Sequence, residues 1–178
     1  MFDRYAGDNN TRLSWQEKIY LAPGTKTLVL PCTNISSFYT AHNTNSAPKR
    51  LRDKRKYKDI ANAIQSFVML SAADGSDYAP FTRNGVPIEV GDFADDDRDE
   101  LSGLTLHRSV ARLEKGIPNP KERPMLPLPW ELTFMLTIIA NDAIKEAEIK
   151  NLTHEGGLAI GFGTYRGVYG KFLVEQWD

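Results

Sequence analysis

Two passages with the order strand, helix, strand, and one ten-residue segment with a strict period of two, predict an α+β fold for this chain of 178 residues. The first passage runs from "KTLVLP" through an apolar-striped helix to "GVPIEV". The second runs from Trp130 to Trp177. Two such halves around an antiparallel sheet, with helices on one face, describe a ferredoxin-like fold. No repeat or linker divides the sequence. A single elaborated domain, 1–178, is therefore expected, with residues 1–14 as a polar, flexible arm.

Each element has a local reason. "EKIYLA" (Glu17–Ala22) and "KTLVLP" (Lys26–Pro31) are predicted strands, with a turn at Pro23-Gly24 between them. "CTNISSFYTAHNTNSAP" is a predicted polar loop. Tyr57, Ile60, Ile64, Phe67 and Val68 recur at helical spacing and predict a helix over Lys49–Leu70, capped by Asn45 or Ser46 with Pro48 in its first turn. "SAADGSDYAPF" ends it in turns, and "GVPIEV" is a short strand. Asp92–Glu100 is an acidic loop, and Leu104–Glu114 is a strand. "KGIPNPKERPMLPLP" carries five prolines in fifteen residues and is predicted to be a stiff, irregular connection. In "WELTFMLTII", Trp130, Leu132, Phe134, Leu136 and Ile138 share one face of a strand. Asn141 is the expected cap of a short helix over "DAIKEAEIK", in which Glu146 and Lys150 stand one turn apart. A glycine-rich loop and a closing strand, "KFLVEQW", follow.

Composition limits the function. Hydrophobic residues make up 41% and charged residues 25%, and the net charge is −1, so nucleic-acid contact must come from segregated charge rather than from a polycationic whole. The one cysteine, Cys32, allows no intramolecular disulfide and no cysteine-based zinc cluster. The N-terminus lacks a signal-peptide core, and the longest apolar run, "FMLTIIA", is too short to span a bilayer. A cytoplasmic protein with no membrane partner is expected. There is no GxSxG, no Walker A sequence, no HExxH and no EF-hand spacing. "GFGTYRG" has one residue too many for a dinucleotide fingerprint and precedes a predicted strand rather than a helix. No cofactor and no metal site are expected.

Three stretches carry candidate chemistry. In "KRLRDKRKYK", the cations Lys49, Arg50, Arg52, Lys54, Arg55, Lys56 and Lys58 face a single anion, Asp53. Such a run is either a solvated helix face or a polyanion site. Cations near a helix N-terminus oppose the macrodipole, and a bound phosphate would offset that cost. The acidic run Asp92–Glu100 contains Asp95, Asp96 and Asp97. It is an exposed loop, a divalent-cation site, or a surface that pairs with the basic run of another copy. Gly156–Phe172, "GGLAIGFGTYRGVYGKF", holds six of the thirteen glycines. It is either a flexible turn before an edge strand or a bare backbone surface that approaches a ligand. In the second case Arg166 and Lys171 meet phosphates, while Phe162, Tyr165 or Tyr169 stack on bases. His42 and His154 are candidate acid and base for RNA cleavage if they face one groove. His107 lies in no catalytic spacing.

The glycine-rich loop before a last strand resembles the CRISPR-associated RAMP superfamily, whose members bind guide RNA and in some cases cut it. "VARLEKGIPNPKERPMLPLPWELTFMLTI" and "IGFGTYRGVYGKFLV" resemble a group of small phage and prophage proteins with an Arg-rich strand, a "P…W.L.F" strand and a terminal GxGxxRxxxGxF signature. That signature falls here on Gly161, Gly163, Arg166, Gly170 and Phe172, and the resemblance covers roughly residues 104–178. It implies a RAMP/RRM-like sheet and a non-enzymatic RNA- or DNA-binding role, with the loop glycines and Arg166 near the backbone. The large insertions of guide-binding subunits are absent.

Three functions follow as expectations. The first is a module that binds RNA or single-stranded nucleic acid through Lys49–Lys58, Arg108, Arg112, Gly161, Gly163, Tyr165, Arg166, Gly167 and Lys171. The second is a phage counter-defence protein that docks on a host complex through Pro118–Trp130 or sequesters a nucleotide signal. The third is a metal-independent ribonuclease that uses His42 or His154.

Overall fold

A computed structural model describes residues 14–93, 97–112 and 118–178. The expected arm at the N-terminus, and Asp95 and Asp96 of the acidic run, lie outside the described residues, apart from Ser14. The elements are a 3-10 turn (Gln16–Lys18), β1 (Val29–Pro31), α1 (Cys32–Ser36), α2 (Ala47–Leu51), α3 (Tyr57–Phe67), β2 (Val68–Ala72), β3 (Tyr78–Arg83), β4 (Val86–Pro87), β5 (Thr105–Arg112), β6 (Pro118–Met125), β7 (Glu131–Leu132), β8 (Phe134–Ile138) and α4 (Glu146–Ala159). The class is α+β, and its strand pairs β2–β8, β3–β4, β3–β7 and β5–β6 are antiparallel. No helix among the described residues is long and apolar enough to cross a membrane.

The chain forms two compact units. The first joins the described residues through Leu30 to Pro80–Leu132, and the second joins Pro31–Ala79 to Thr133–Asp178. In the first, β3 is flanked by β1 and β4 and also pairs with β7, and Phe81 lies opposite Leu132. Its other sheet is the β5–β6 ribbon, with Thr105 opposite Met125 and Arg112 opposite Pro118. Ile19, Leu28, Val29, Leu104 and Leu126 line one small apolar void. Ser14 and Glu17 cap the 3-10 turn reciprocally: the Ser14 amide donates to Glu17 Oε2 (2.8 Å), and the Glu17 amide donates to Ser14 Oγ (3.3 Å).

In the second unit β2 and β8 pair from Val68–Ile138 to Ala72–Phe134. The period of two in "WELTFMLTII" shows in the half-buried Phe134, Leu136 and Ile138 against the exposed Met135 and Thr137, but the one predicted strand is two, β7 paired with β3 and β8 paired with β2. The core is aromatic. Phe38 is fully buried and meets Tyr39, Phe162 and Phe172 at ring distances of 4.9, 5.2 and 6.0 Å; Phe162 and Phe172 stack at 4.4 Å. Tyr39 Oη and Thr153 Oγ1 share a buried hydrogen bond of 2.7 Å.

Several local expectations are corrected. The helix predicted over Lys49–Leu70 is two helices, α2 and α3, separated by a turn that Asp53 builds. Its Oδ1 accepts from the Arg55 amide (2.7 Å), and its carbonyl accepts from the amides of Lys56 and Tyr57 (3.0 Å each). The residues Val68–Leu70 belong to β2. The predicted polar loop starts with α1. Glu17 and Lys18, at the start of the first predicted strand, belong to the 3-10 turn Gln16–Lys18. Proline-rich 118–125 is strand β6, because β5 supplies a full ladder partner. Asn141 does not cap α4, which begins at Glu146; its Oδ1 instead accepts from the amides of Ala143 and Ile144 in a side-chain turn. The predicted strand "KFLVEQW" is in no sheet. The Phe172 amide donates to Gly157 O (3.0 Å), and Trp177 Nε1 donates to Glu146 Oε1 (2.8 Å), so the tail is tied to α4.

The largest correction concerns the glycine-rich stretch. α4 continues through Gly156 and Gly157 to Ala159, although glycine disfavours a helix interior by about 1 kcal/mol relative to alanine. Close packing explains the choice. A Cβ at Gly156 would enter the Phe38 ring, and one at Gly157 would lie 2.6 Å from the Phe172 carbonyl. Gly161 (φ +80°) and Gly170 (φ +72°) approach each other's strands of backbone too closely for any side chain. Gly156→Ala, which improves helix propensity, is therefore expected to lower stability by about 1–3 kcal/mol through overpacking. Gly170→Ala is expected to cost more, since both φ and space oppose it, while Gly167→Ala meets only the φ penalty. Denaturant unfolding of the three variants gives the order.

Candidate nucleic-acid interface

The basic run holds seven of the chain's 22 lysines and arginines, and the fold divides them. Arg52 closes α2 and turns toward α4. Its Nε donates to Glu148 Oε1 (2.6 Å), and its Nη1 donates to Glu155 Oε2 (2.9 Å) and to Leu51 O (3.1 Å). Burial works against the charge of Arg52, but the two carboxylates outweigh it and hold the guanidinium above its ordinary pKa. Arg50, Lys54, Arg55, Lys56 and Lys58 are exposed, Lys49 is half-buried, and none of these six makes an ion pair among the described residues. Residues 53–56 form four exposed positions in a row between two helices.

The glycine loop is arranged differently. Arg166 is largely withdrawn from solvent. Its Nε donates to Gly163 O (3.0 Å), its Nη1 donates to Ser37 O (3.1 Å) and Asn45 O (3.4 Å), and its Nη2 donates to Ser37 Oγ. Burial lowers its pKa, and no carboxylate faces it among the described residues. Its guanidinium joins the loop to the segment around α1 and α2. Gly161 is buried against Gly170; Gly163 and Gly167 take φ of +91° and +90°, which turns of this kind require. Phe162 belongs to the core at 2% exposure. Tyr165 and Tyr169 are half-buried and meet edge to face at 6.4 Å. Lys171 is exposed.

The remaining candidates lie in the first unit or carry no built chemistry. Arg108 is exposed but clamped: its Nη1 and Nη2 donate to Asp97 (2.9 Å each), and its Nε donates to Glu122 (3.2 Å). Arg112 ends β5 opposite Pro118. His42 lies in the connection before α2, and His154 lies on the outer side of α4. Both are exposed and have no hydrogen-bond partner among the described residues, so no side chain orients either for proton transfer. His107, in β5, is half-buried opposite Arg123.

The described part of the acidic run is built into the fold. Asp92 accepts from Lys26 Nζ (2.6 Å), Asp97 from Arg108, and Glu100 pairs with Arg98 (3.2 Å). Asp99 is 2% exposed and accepts from the amides of Gly91 (3.0 Å) and Ser102 (3.0 Å) and from the Ser102 hydroxyl. Among the described residues no group of three or more His, Cys, Asp or Glu is placed to hold a metal ion. Comparison of the chain with family models, with curated proteins and with solved structures finds no match.

The partners of Arg52 and Arg166 had no signal in the sequence. Glu148 is 96 residues from Arg52, and Ser37 is 129 from Arg166. A pH experiment tests the acidic run. Burial pushes the Asp99 pKa up, but hydrogen bonds from Ser102, Gly91 and Leu101 outweigh it and hold the carboxyl below its ordinary value. The folded pKa is depressed, so the stabilisation is full at neutral pH and is lost as pH falls below about 4 toward the folded value. The stability gap between the wild type and Asp99→Asn, measured by denaturant unfolding, is expected to be wide at pH 7 and to narrow with acidification below that point.

Proposed function

We propose that this chain is a non-enzymatic, phage-type RAMP-like protein of the cytoplasm that binds RNA or single-stranded nucleic acid. The observation that carries this reading is the exposed group Arg50, Lys54, Arg55, Lys56 and Lys58, which makes no ion pair among the described residues and spans the end of α2, the turn and the start of α3. In a chain with net charge −1, five cations left without carboxylates in nine residues favour a polyanion. Salt bridges neutralise Arg52 and Arg108, so the fold has carboxylates to spend and does not spend them here. The ferredoxin-like relation is part of the proposal. It is supported by the order α3–β2 and β8–α4 across one antiparallel pair, which is the helix–strand, strand–helix centre of such a fold.

In this reading the basic turn meets the phosphates. The glycine loop acts indirectly, through the packing of Phe38, Phe162 and Phe172 and through the tie that Arg166 makes to Ser37 and Asn45. Binding is electrostatic in the first instance and weakens steeply with salt. The test is the affinity for a labelled mixed-sequence RNA, measured over a salt series for the wild type and for the triple variant Lys54→Ala, Arg55→Ala, Lys56→Ala. The variant is expected to lose about tenfold or more in affinity at low salt, with a slope of log K against log salt shallower by about 2–3. Equal affinity and equal slope for the two proteins would reject the basic turn as the site.

A further inference from the structure

We infer that the RNA is engaged on its double-helical segments, with the basic turn on phosphates and the outer face of α3 along the shallow groove. This inference rests on the RNA-binding reading above and concerns the same site. Two observations lead to it.

The first is the polar ridge that follows the turn. α3 buries Ala61, Ala63 and Ile64. Lys58, Asn62, Gln65 and Ser66 are exposed and fall on one opposite face, at one-turn and two-turn spacing, with the exposed carboxylate of Asp59 at its edge. Two amides and a hydroxyl in a row supply both donors and acceptors. The shallow groove of an RNA duplex displays 2′-hydroxyls and base edges that need such groups, and it admits a convex element. The turn at 53–56 stands at the N-terminal end of this ridge, so phosphate contacts and groove contacts fall on one continuous strip of chain.

The second observation is where the aromatic rings are. Recognition of unstacked single strands depends on aromatic faces offered to the bases. In this unit Phe38, Tyr39 and Phe162 are buried, Phe172 is stacked on Phe162, and Tyr57, the aromatic residue adjoining the basic turn, is half-buried, while the exposed ring of Tyr78 lies on β3, outside the strip. Tyr165 and Tyr169 present an edge and a face to each other. The exposed strip from Arg50 to Ser66 thus offers charge and hydrogen bonds, with no fully exposed ring among them.

The experiment compares three probes at one salt concentration: a labelled RNA hairpin with a long stem, an unstructured uridine-rich RNA of equal length, and the hairpin with a 2′-deoxy stem. The RNA hairpin is expected to bind about tenfold or more tightly than the unstructured strand, and more tightly than its deoxy counterpart. The double variant Asn62→Ala, Gln65→Ala is expected to lower hairpin affinity several-fold while leaving the salt slope unchanged, because no phosphate contact is removed. Circular dichroism and unfolding midpoints confirm that the variant is folded. Equal or tighter binding of the unstructured strand would overturn the inference while leaving RNA binding intact. An unaltered hairpin affinity in the double variant would do the same. Failure of all three probes to bind would instead remove the RNA-binding reading itself.

Discussion

The contact between the bare backbone of α4 and the ring of Phe38 sets the second unit. Gly156 lets that ring sit against the helix, and Gly157 lets the backbone of Phe172 approach. Phe38 then holds Phe162 and Phe172 beside it, and Phe162 also reaches Phe134 on β8 (6.1 Å). Helix, loop, tail and strand thus share one aromatic cluster. A protein interior packs at crystal-like density, so a single added methyl group at such a point propagates through every neighbour. The position of α2, tied to α4 by Arg52, rests on the same arrangement. The exposed cations of the following turn are carried by that frame.

The legible part of the fold was the part with local causes. The alternation from Trp130 to Ile139 is a property of neighbouring residues; β8 keeps it over Phe134–Ile138, while Glu131 and Leu132 form the separate β7. The apolar spacing of Tyr57, Ile60, Ile64 and Phe67 is likewise local, and α3 carries it. What escaped the sequence depended on distant partners. β6 is a strand because β5 lies beside it, against every preference of its prolines. α4 runs through two glycines because tertiary contact outweighs propensity there. Its expected end near Lys150 follows from treating glycine as a breaker, whereas here it admits a neighbour.

The candidate interface was legible in the same uneven way. The charge run is plain in the sequence, but nothing local separates Arg52, which is spent on Glu148 and Glu155, from Arg55, which faces solvent. The signature around Arg166 marks a real structural knot whose guanidinium points inward to Ser37 and Asn45. A cation flanked by glycines and tyrosines has the composition of a ligand loop and the geometry of a brace. Only the acceptors, more than a hundred residues earlier, distinguish the two.

The aromatic cluster has a consequence for the order of events during synthesis. Phe38 is made well before two of its ring partners, Phe162 and Phe172. The second unit encloses most of the first within its sequence. Its core therefore stays open until the segment that carries Phe172 has been made. An incomplete chain in that state exposes apolar rings, the kind of surface that makes folding intermediates prone to aggregate.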